Sequence, residues 1–438
     1  MSITIQQSPT TPNQANADLL YVLASTNVAQ PQFQYVMEVG GLTIKQQANP
    51  SLKGVFNIGQ ITRDLVTQDN LWKTPNVQTI TYGGETITPV FYEEYGTSTS
   101  SSVAYYNGQS GSALYVMNGV VNPNDGGWNF ASSSYFSMDA TPTGGSGNFK
   151  YQHALTNAPV TQSIREGEYA TISIINGNFN NSDLVAQDIY WVQVNFYNSA
   201  GGNISNFGFY NVDSGSYNGG PRTNPASEWT NGGVYNGQTD GTKLLYIGVG
   251  PQNFIDNGDS LGTGWAYYEV TLMSQEGPGL EDNTTQYAKY RFVKQEAECD
   301  YDGTRFAFVN SLGVFDYFTF PFADSKQDTI ERLTFEQGFV NYSTGATSVT
   351  YDKSRRGTKV FSLKSNETRT AQSDYLTQAE ADWLVELVES NEVYIQEGTD
   401  FLPIVIDNAT YDYKTNPRTQ KMYTLNLTYR LANQKRGK

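Results

Sequence analysis

The chain has 438 residues, of which 16% are charged, 38% hydrophobic and 13% aromatic, with 31 tyrosines, 22 phenylalanines and 41 glycines. Twenty-seven Lys and Arg stand against 43 Asp and Glu, a formal charge of −16, so the chain repels phosphate and a general nucleic-acid binder is not expected. One cysteine, Cys299, and one histidine, His153, leave no disulfide within the chain and no Cys/His cluster for zinc.

A chain of this length divides into several domains. Tyr, Phe and Thr in runs, with Gly and Asn between them, make a mainly β protein the expectation. Residues 1–150 read as an N-terminal β domain with one short helix. In QFQYVMEV (32–39), Phe33, Tyr35, Met37 and Val39 alternate onto one face, the period of a half-buried strand. Ile58, Ile61 and Leu65 recur at helical spacing within 57–66, with Asn57 as the N-cap. Strand-like runs follow at 79–95, 102–107 and 112–121, and TPTGGSGNFK (141–150) reads as a linker.

Residues 151–300 read as a β-sandwich-like domain, with its strongest strands at EYATISII (168–175) and IYWVQVNFY (189–197). Between 213 and 242 lies a Gly- and Asn-rich stretch with almost no aliphatic residue. A loop of that length is functional or is ordered by a partner. LLYIGVG (244–250) and WAYYEVTLM (265–273) restore the strand pattern.

Residues 301–438 read as an α+β domain with one long helix packed on a sheet. RFAFVNSLGVFDYFTF (305–320) holds five phenylalanines and a tyrosine and no reactive group. Its two β-prone arms around a Gly-containing loop predict a hairpin. Phe315 and Tyr317 point one way and Phe318 and Phe320 the other, so the second arm is covered on both faces, by its own domain or by a neighbouring subunit. TQAEADWLVELVES (377–390) is the long helix. Thr377 and Glu380 form a capping box, and Trp383, Leu384, Leu387 and Val388 form one apolar stripe. EVYIQ, FLPIVI and a closing strand over 421–431, in which Tyr423, Leu425, Leu427, Tyr429 and Leu431 alternate, complete the sheet, with a turn at 412–417. The architecture expected is therefore two N-terminal β-sandwich-like domains followed by this α+β domain.

Chemistry is sparse. His153 has no G-x-S-x-G partner. Cys299 sits among Glu296, Glu298 and Asp300, which raises a thiol pKa and blunts it as a nucleophile. The acidic stretch 296–302 and the shorter DNGDS (256–260) are candidate cation loops, but alternate residues of a strand form a line rather than a cage. Glu93 and Glu94 read as ordinary surface, and IGVGPQN (247–253) lacks the third glycine and the lysine of a phosphate loop. The expectation is no catalytic residue, no cofactor, no metal and no enzyme. The N-terminus lacks the basic flank and apolar core of a secretion signal, and no apolar run is long enough to span a bilayer, so synthesis in a cytoplasm and no membrane partner are expected. Tyrosine-rich, lysine-poor surfaces favour protein contact. Tyr105 with Tyr106, Tyr267 with Tyr268, and the hairpin aromatics are the candidate contact strands.

The order of GVFNIGQITRDLV, RFAFVNSLGVFDYFTF, RRGTKVF, the helix ending WLVELVESNEVYI, FLPIVIDNATYDYK and a closing strand ending YRLANQ resembles virion structural proteins of tailed bacteriophages, in particular those of phages of Bacteroidetes, including the crAss-like group. The resemblance spans most of the chain and is one of pattern, with no diagnostic motif. It implies a multi-copy virion component of the tail, baseplate or neck that partners copies of itself and other virion proteins. It transfers no site residue. The 213–242 loop departs from that pattern and leaves a glycan-facing role open, so two further readings stand beside the first. One is an adhesin gripping a host surface glycan through loop-tip aromatics such as Trp229 or Tyr235. The other is a polysaccharide depolymerase with a hidden carboxylate pair.

Overall fold

The structure, a computed structural model, describes residues 3–11, 13–66, 77–79, 84–119, 154–175, 189–210, 244–275, 284–295, 303–322, 324–336, 340–341, 345, 347–348, 350–351, 357–413 and 423–433. The chain is mainly β. It forms two units, Met1–Glu296 with Phe308–Tyr317, and Ala297–Ala307 with Phe318–Lys438.

In the first unit, β1 (Thr4–Gln7), β2 (Asn13–Gln14), β3 (Leu20–Ala24), β4 (Gln34–Val39), β5 (Leu42–Gln46) and β6 (Lys53–Asn57) lead into α1 (Gly59–Leu65). Then come β7 (Val77–Thr79), β8 (Gly84–Ile87), β9 (Val90–Tyr95), β10 (Ala104–Ser110), β11 (Leu114–Met117), β12 (Thr161–Ile164) and β13 (Thr171–Ile175). β14 (Ile189–Tyr197), β15 (Asn203–Tyr210), β16 (Leu244–Gly248), α2 (Pro251–Asp256), β17 (Tyr267–Gln275) and β18 (Thr284–Lys294) follow. These strands form sheets ordered β1-β3-β6, β10-β9-β4-β5, β2-β11-β8, β12-β18-β17-β14-β15 and β13-β16-β7. One core gathers Tyr21, Tyr35, Met37, Phe56 and Phe91, all buried, with Tyr21 and Phe91 ring centroids 5.2 Å apart. Another is a ring cluster in which Phe196 meets Tyr268 at 5.0 Å and Trp265 at 5.9 Å, and Tyr268 stacks on Phe292 at 5.1 Å.

Two local expectations change here. β4 buries Val36 as well as Tyr35 and Met37, so it is covered on both faces rather than half-buried. The residue entering α1 is Ile58, with no side-chain cap. Asn57 ends β6 instead, and its Oδ1 accepts from the backbone N–H groups of Gly59 and Leu19, which ties the turn to the neighbouring strand as well as to the helix.

The hairpin forms as expected. β19 (Thr304–Val309) and β20 (Phe315–Phe320) flank the loop Asn310–Val314. Gly313 has φ +85°, and a Cβ there would lie 2.0 Å from the Asn118 carbonyl oxygen, so only glycine fits. After it come β21 (Ser325–Glu336), β22 (Val340–Asn341), β23 (Thr350–Tyr351), β24 (Thr358–Gln372), α3 (Gln378–Glu389), β25 (Val393–Glu397), β26 (Asp400–Tyr413) and β27 (Tyr423–Leu431). Seven strands form one sheet in the order β20-β19-β25-β26-β27-β24-β21. α3 begins at the expected cap: Thr377 accepts from the Glu380 N–H and Glu380 accepts from the Thr377 N–H. Its stripe buries Trp383, Leu384 and Leu387, and Val388 is half-buried. β26 runs as a strand to Tyr413 past a bulge near Asp407, so the chain is still extended at the first residues of the expected 412–417 turn; residues 414–417 lie outside the described residues.

Candidate assembly surface

The aromatic hairpin is the first place to look for a contact surface, and the structure spends it internally. Within the second unit, Phe306 meets Phe320 at 4.9 Å and Tyr429 at 5.3 Å, and Phe318 meets Trp383 at 5.9 Å. Within the first unit, the Asn310 side chain accepts from the Leu312 and Val314 N–H groups and donates to the Leu155 carbonyl at 2.8 Å. Asp316 accepts from the Thr156 hydroxyl at 2.8 Å, and the Thr171 and Tyr317 hydroxyls lie 3.0 Å apart. Phe306, Phe308, Phe315, Tyr317 and Phe320 are all buried. The cover anticipated for this arm is therefore the chain itself. The closing strand is spent in the same way, with Tyr423, Leu425, Leu427 and Tyr429 buried.

Around Asp316 and Tyr317 a cavity of about 10 Å³ remains, lined also by Thr156, Thr171 and Ser173. That is room for one water, and it is no substrate pocket.

The exposed surface that stands out is one the sequence did not mark. β21 and β24 pair from Ser325↔Thr370 out to Glu336↔Thr358. β24 pairs with β27 only over Arg369–Gln372, so from Gln327↔Thr368 outward the two strands form a two-stranded ribbon among the described residues. At the strand rise of 3.3 Å per residue this ribbon is about 30 Å long. Every residue of β21 is exposed. Its outer part nevertheless carries large apolar side chains: Leu333 is 66% and Phe361 76% exposed, and Ile330, Phe335 and Val360 are also exposed. Leu333 and Phe335 lie on one face, Ile330 and Val360 on the other, and Phe361 is the extra residue at the bulge opposite Leu333 and Thr334. An isolated two-stranded ribbon is at best marginally stable in water, and apolar groups gathered on it cost free energy until something covers them.

Electrostatics at the root of the ribbon hold it to the sheet. Burial works against the Arg369 charge, but hydrogen bonds to Glu397 and Glu367, each 2.6 Å, more than offset this and raise its pKa above the ordinary value.

The other sequence candidates fall as follows. Glu93 and Glu94 are buried, not surface. Glu93 accepts from the side-chain amides of Asn27 and Asn107, and Glu94 pairs with Lys45 at 2.6 Å. The reason lies in strand order: β9 is an inner strand between β10 and β4, which the sequence does not state. Tyr105 is half-exposed and stacks on Tyr92 under Lys45, whereas Tyr268 is fully buried. Tyr267 stacks on Tyr197 at 4.9 Å with the Arg291 guanidinium over its ring at 4.8 Å. In DNGDS, Asp256 accepts from Tyr169 and Gln252, and Asp259 from Asn257. Among the described residues no three His, Cys, Asp or Glu gather to hold a metal, and no helix is long and apolar enough to cross a membrane. His153, Cys299, the 296–302 stretch and the 213–242 loop with Trp229 and Tyr235 lie outside the described residues.

No protein-family model matches this chain, and no curated protein matches it. Among solved structures, a Ca2+-stabilized adhesin with which an Antarctic bacterium binds ice aligns over 97% of this chain and 97% of its own at 8% identity, with a TM-score of 0.20. A 1.5-MDa bacterial ice-binding adhesin aligns over 73% of this chain and 83% of its own at 10% identity, with a TM-score of 0.19. Neither superposition is close enough to carry an argument about fold or function.

Proposed function

We propose that the chain is a structural subunit of a tailed-bacteriophage particle, a tail, baseplate or neck component that assembles into a ring or sleeve with copies of itself and other virion proteins. The observation that carries this reading is the β21/β24 ribbon. It offers apolar groups on both faces to solvent, and such a surface is completed by association. The order of sequence pieces that resembles virion proteins supplies the phage setting. In this reading the protein is not an enzyme and takes no cofactor. It is made in the host cytoplasm and ends in the virion, and its three sequence segments, 1–150, 151–300 and 301–438, act as two sandwich-like domains and an α+β domain.

The test is the mass of the purified chain by light scattering behind a sizing column over a concentration series, with negative-stain electron microscopy of the same fractions. A discrete multi-copy species that images as a closed ring or stacked sleeve is expected. A monomer at every concentration that instead retains host polysaccharide on a glycan array would overturn it in favour of the adhesin.

A further inference from the structure

β21 is the last strand of its sheet. β24 takes one of its edges, and among the described residues nothing pairs with the other, so a row of main-chain N–H and C=O groups stands open along the ribbon. Two of the strand's charges are also left without a counterpart. Across the ribbon Asp328 lies opposite Glu367, a like charge, and Arg332 lies opposite Leu363. Neither makes an ion pair among the described residues, whereas Glu331 has Lys364 directly opposite it. Asp328, Arg332 and, between them, Ile330 share one face of the strand, because side chains alternate. All three are exposed, Ile330 at 48%.

We infer that the ribbon is a joint between two copies of this chain, in which β21 pairs antiparallel with β21 of the second copy across a two-fold axis at Ile330. The inference rests on the self-assembly reading above and names its contact. A two-fold axis through an antiparallel pair keeps each side chain on its own face, so it passes at a residue and brings that residue opposite its own counterpart. Charge then selects the residue. With the axis at Ile330, Asp328 of each copy meets Arg332 of the other, and no like charges are opposed along 325–335. An axis at Asp328, Glu331 or Arg332 sets that charge against itself, and an axis at Thr329 sets Lys326 opposite Arg332. Like charges directly opposite one another destabilise a strand pair. The two charges that the chain leaves unmatched are therefore the two that this register matches, and that complementarity makes a second copy the occupant of the edge. Pairing also turns two marginal two-stranded ribbons into one four-stranded sheet and covers Ile330 with its counterpart. An isologous joint closes after two copies, so it links rings or layers face to face and leaves the closure of each ring to another surface.

The experiment follows the mass of the full-length chain by light scattering over a concentration series, for the wild type and for two single variants, Asp328→Arg and Arg332→Asp. Both side chains are exposed, so the fold is expected to hold, which a melting curve checks. Each variant alone puts like charges at both contacts where the wild type has opposite ones, and its self-association is expected to weaken about tenfold or more. Mixed in equal amounts, the two variants are expected to associate with each other as the wild type does, because one copy brings two positive charges and the other two negative charges to the same two contacts. A joint that does not use β21 predicts neither the loss nor the rescue. Variants that assemble like the wild type, or a mixture that regains nothing while the wild type still assembles, overturn the β21 joint and leave the multi-copy reading in place. A wild-type chain that stays monomeric at all concentrations overturns both.

Discussion

Gly313 shows how much one residue decides in this protein. At φ +85°, with the Asn118 carbonyl 2.0 Å from where a Cβ would sit, even alanine combines a left-handed backbone penalty with a clash against main chain. Gly313→Ala is expected to cost about 3 kcal/mol or more, read as a lowered urea midpoint. Glu269 acts through charge. Burial alone raises its pKa, but hydrogen bonds and charge from Lys289 and Arg291 outweigh that and hold it below the ordinary 4.5. A carboxylate with a depressed folded-state pKa contributes stability above its unfolded value, and this is lost as pH falls through the folded one. Glu269→Gln is therefore expected to destabilise the protein at pH 7 and to converge on the wild type as the pH falls through the folded-state pKa. A difference in chemical unfolding that stays the same from pH 7 into the acid range would show that the ion pairs are inert.

At the scale of elements, legibility follows burial. α3 is plain in sequence because its cap and stripe are local: Thr377, Glu380 and the spacing of Trp383, Leu384 and Leu387 need no knowledge of the rest of the fold. Thr377→Ala is expected to cost about 1 kcal/mol, measured by thermal or denaturant melting. The short helix α2 is harder to see within an apparent strand run. Its signs are Pro251 at the first turn and Asn253, whose side chain accepts from the Gly250 and Ala170 N–H groups. The ribbon strands escape sequence reading altogether. KQDTIERLTFE has no sustained alternation, and every residue of β21 is exposed; the period-two signal is a record of one buried face. A strand with neither face buried does not announce itself by pattern.

At the scale of the whole molecule, charge is the governing quantity. The sequence pI is about 4.5, so turbidity against pH is expected to peak near that value and clear toward pH 7, where the net charge of −16 makes copies repel one another. A flat turbidity profile across that range would mean that net charge does not control its solubility.

The chain by itself determined the mainly β class, the hairpin, the α3 cap and the scarcity of reactive groups. These follow from composition and from contacts within a few residues. Only the tertiary structure decided that the hairpin aromatics and closing strand are buried by their own chain, that Glu93 and Glu94 lie on an inner strand, and that the apolar side chains of the β21/β24 ribbon are left exposed. Burial depends on which distant strands become neighbours, and that pairing is a property of the folded sheet rather than of any one stretch of sequence.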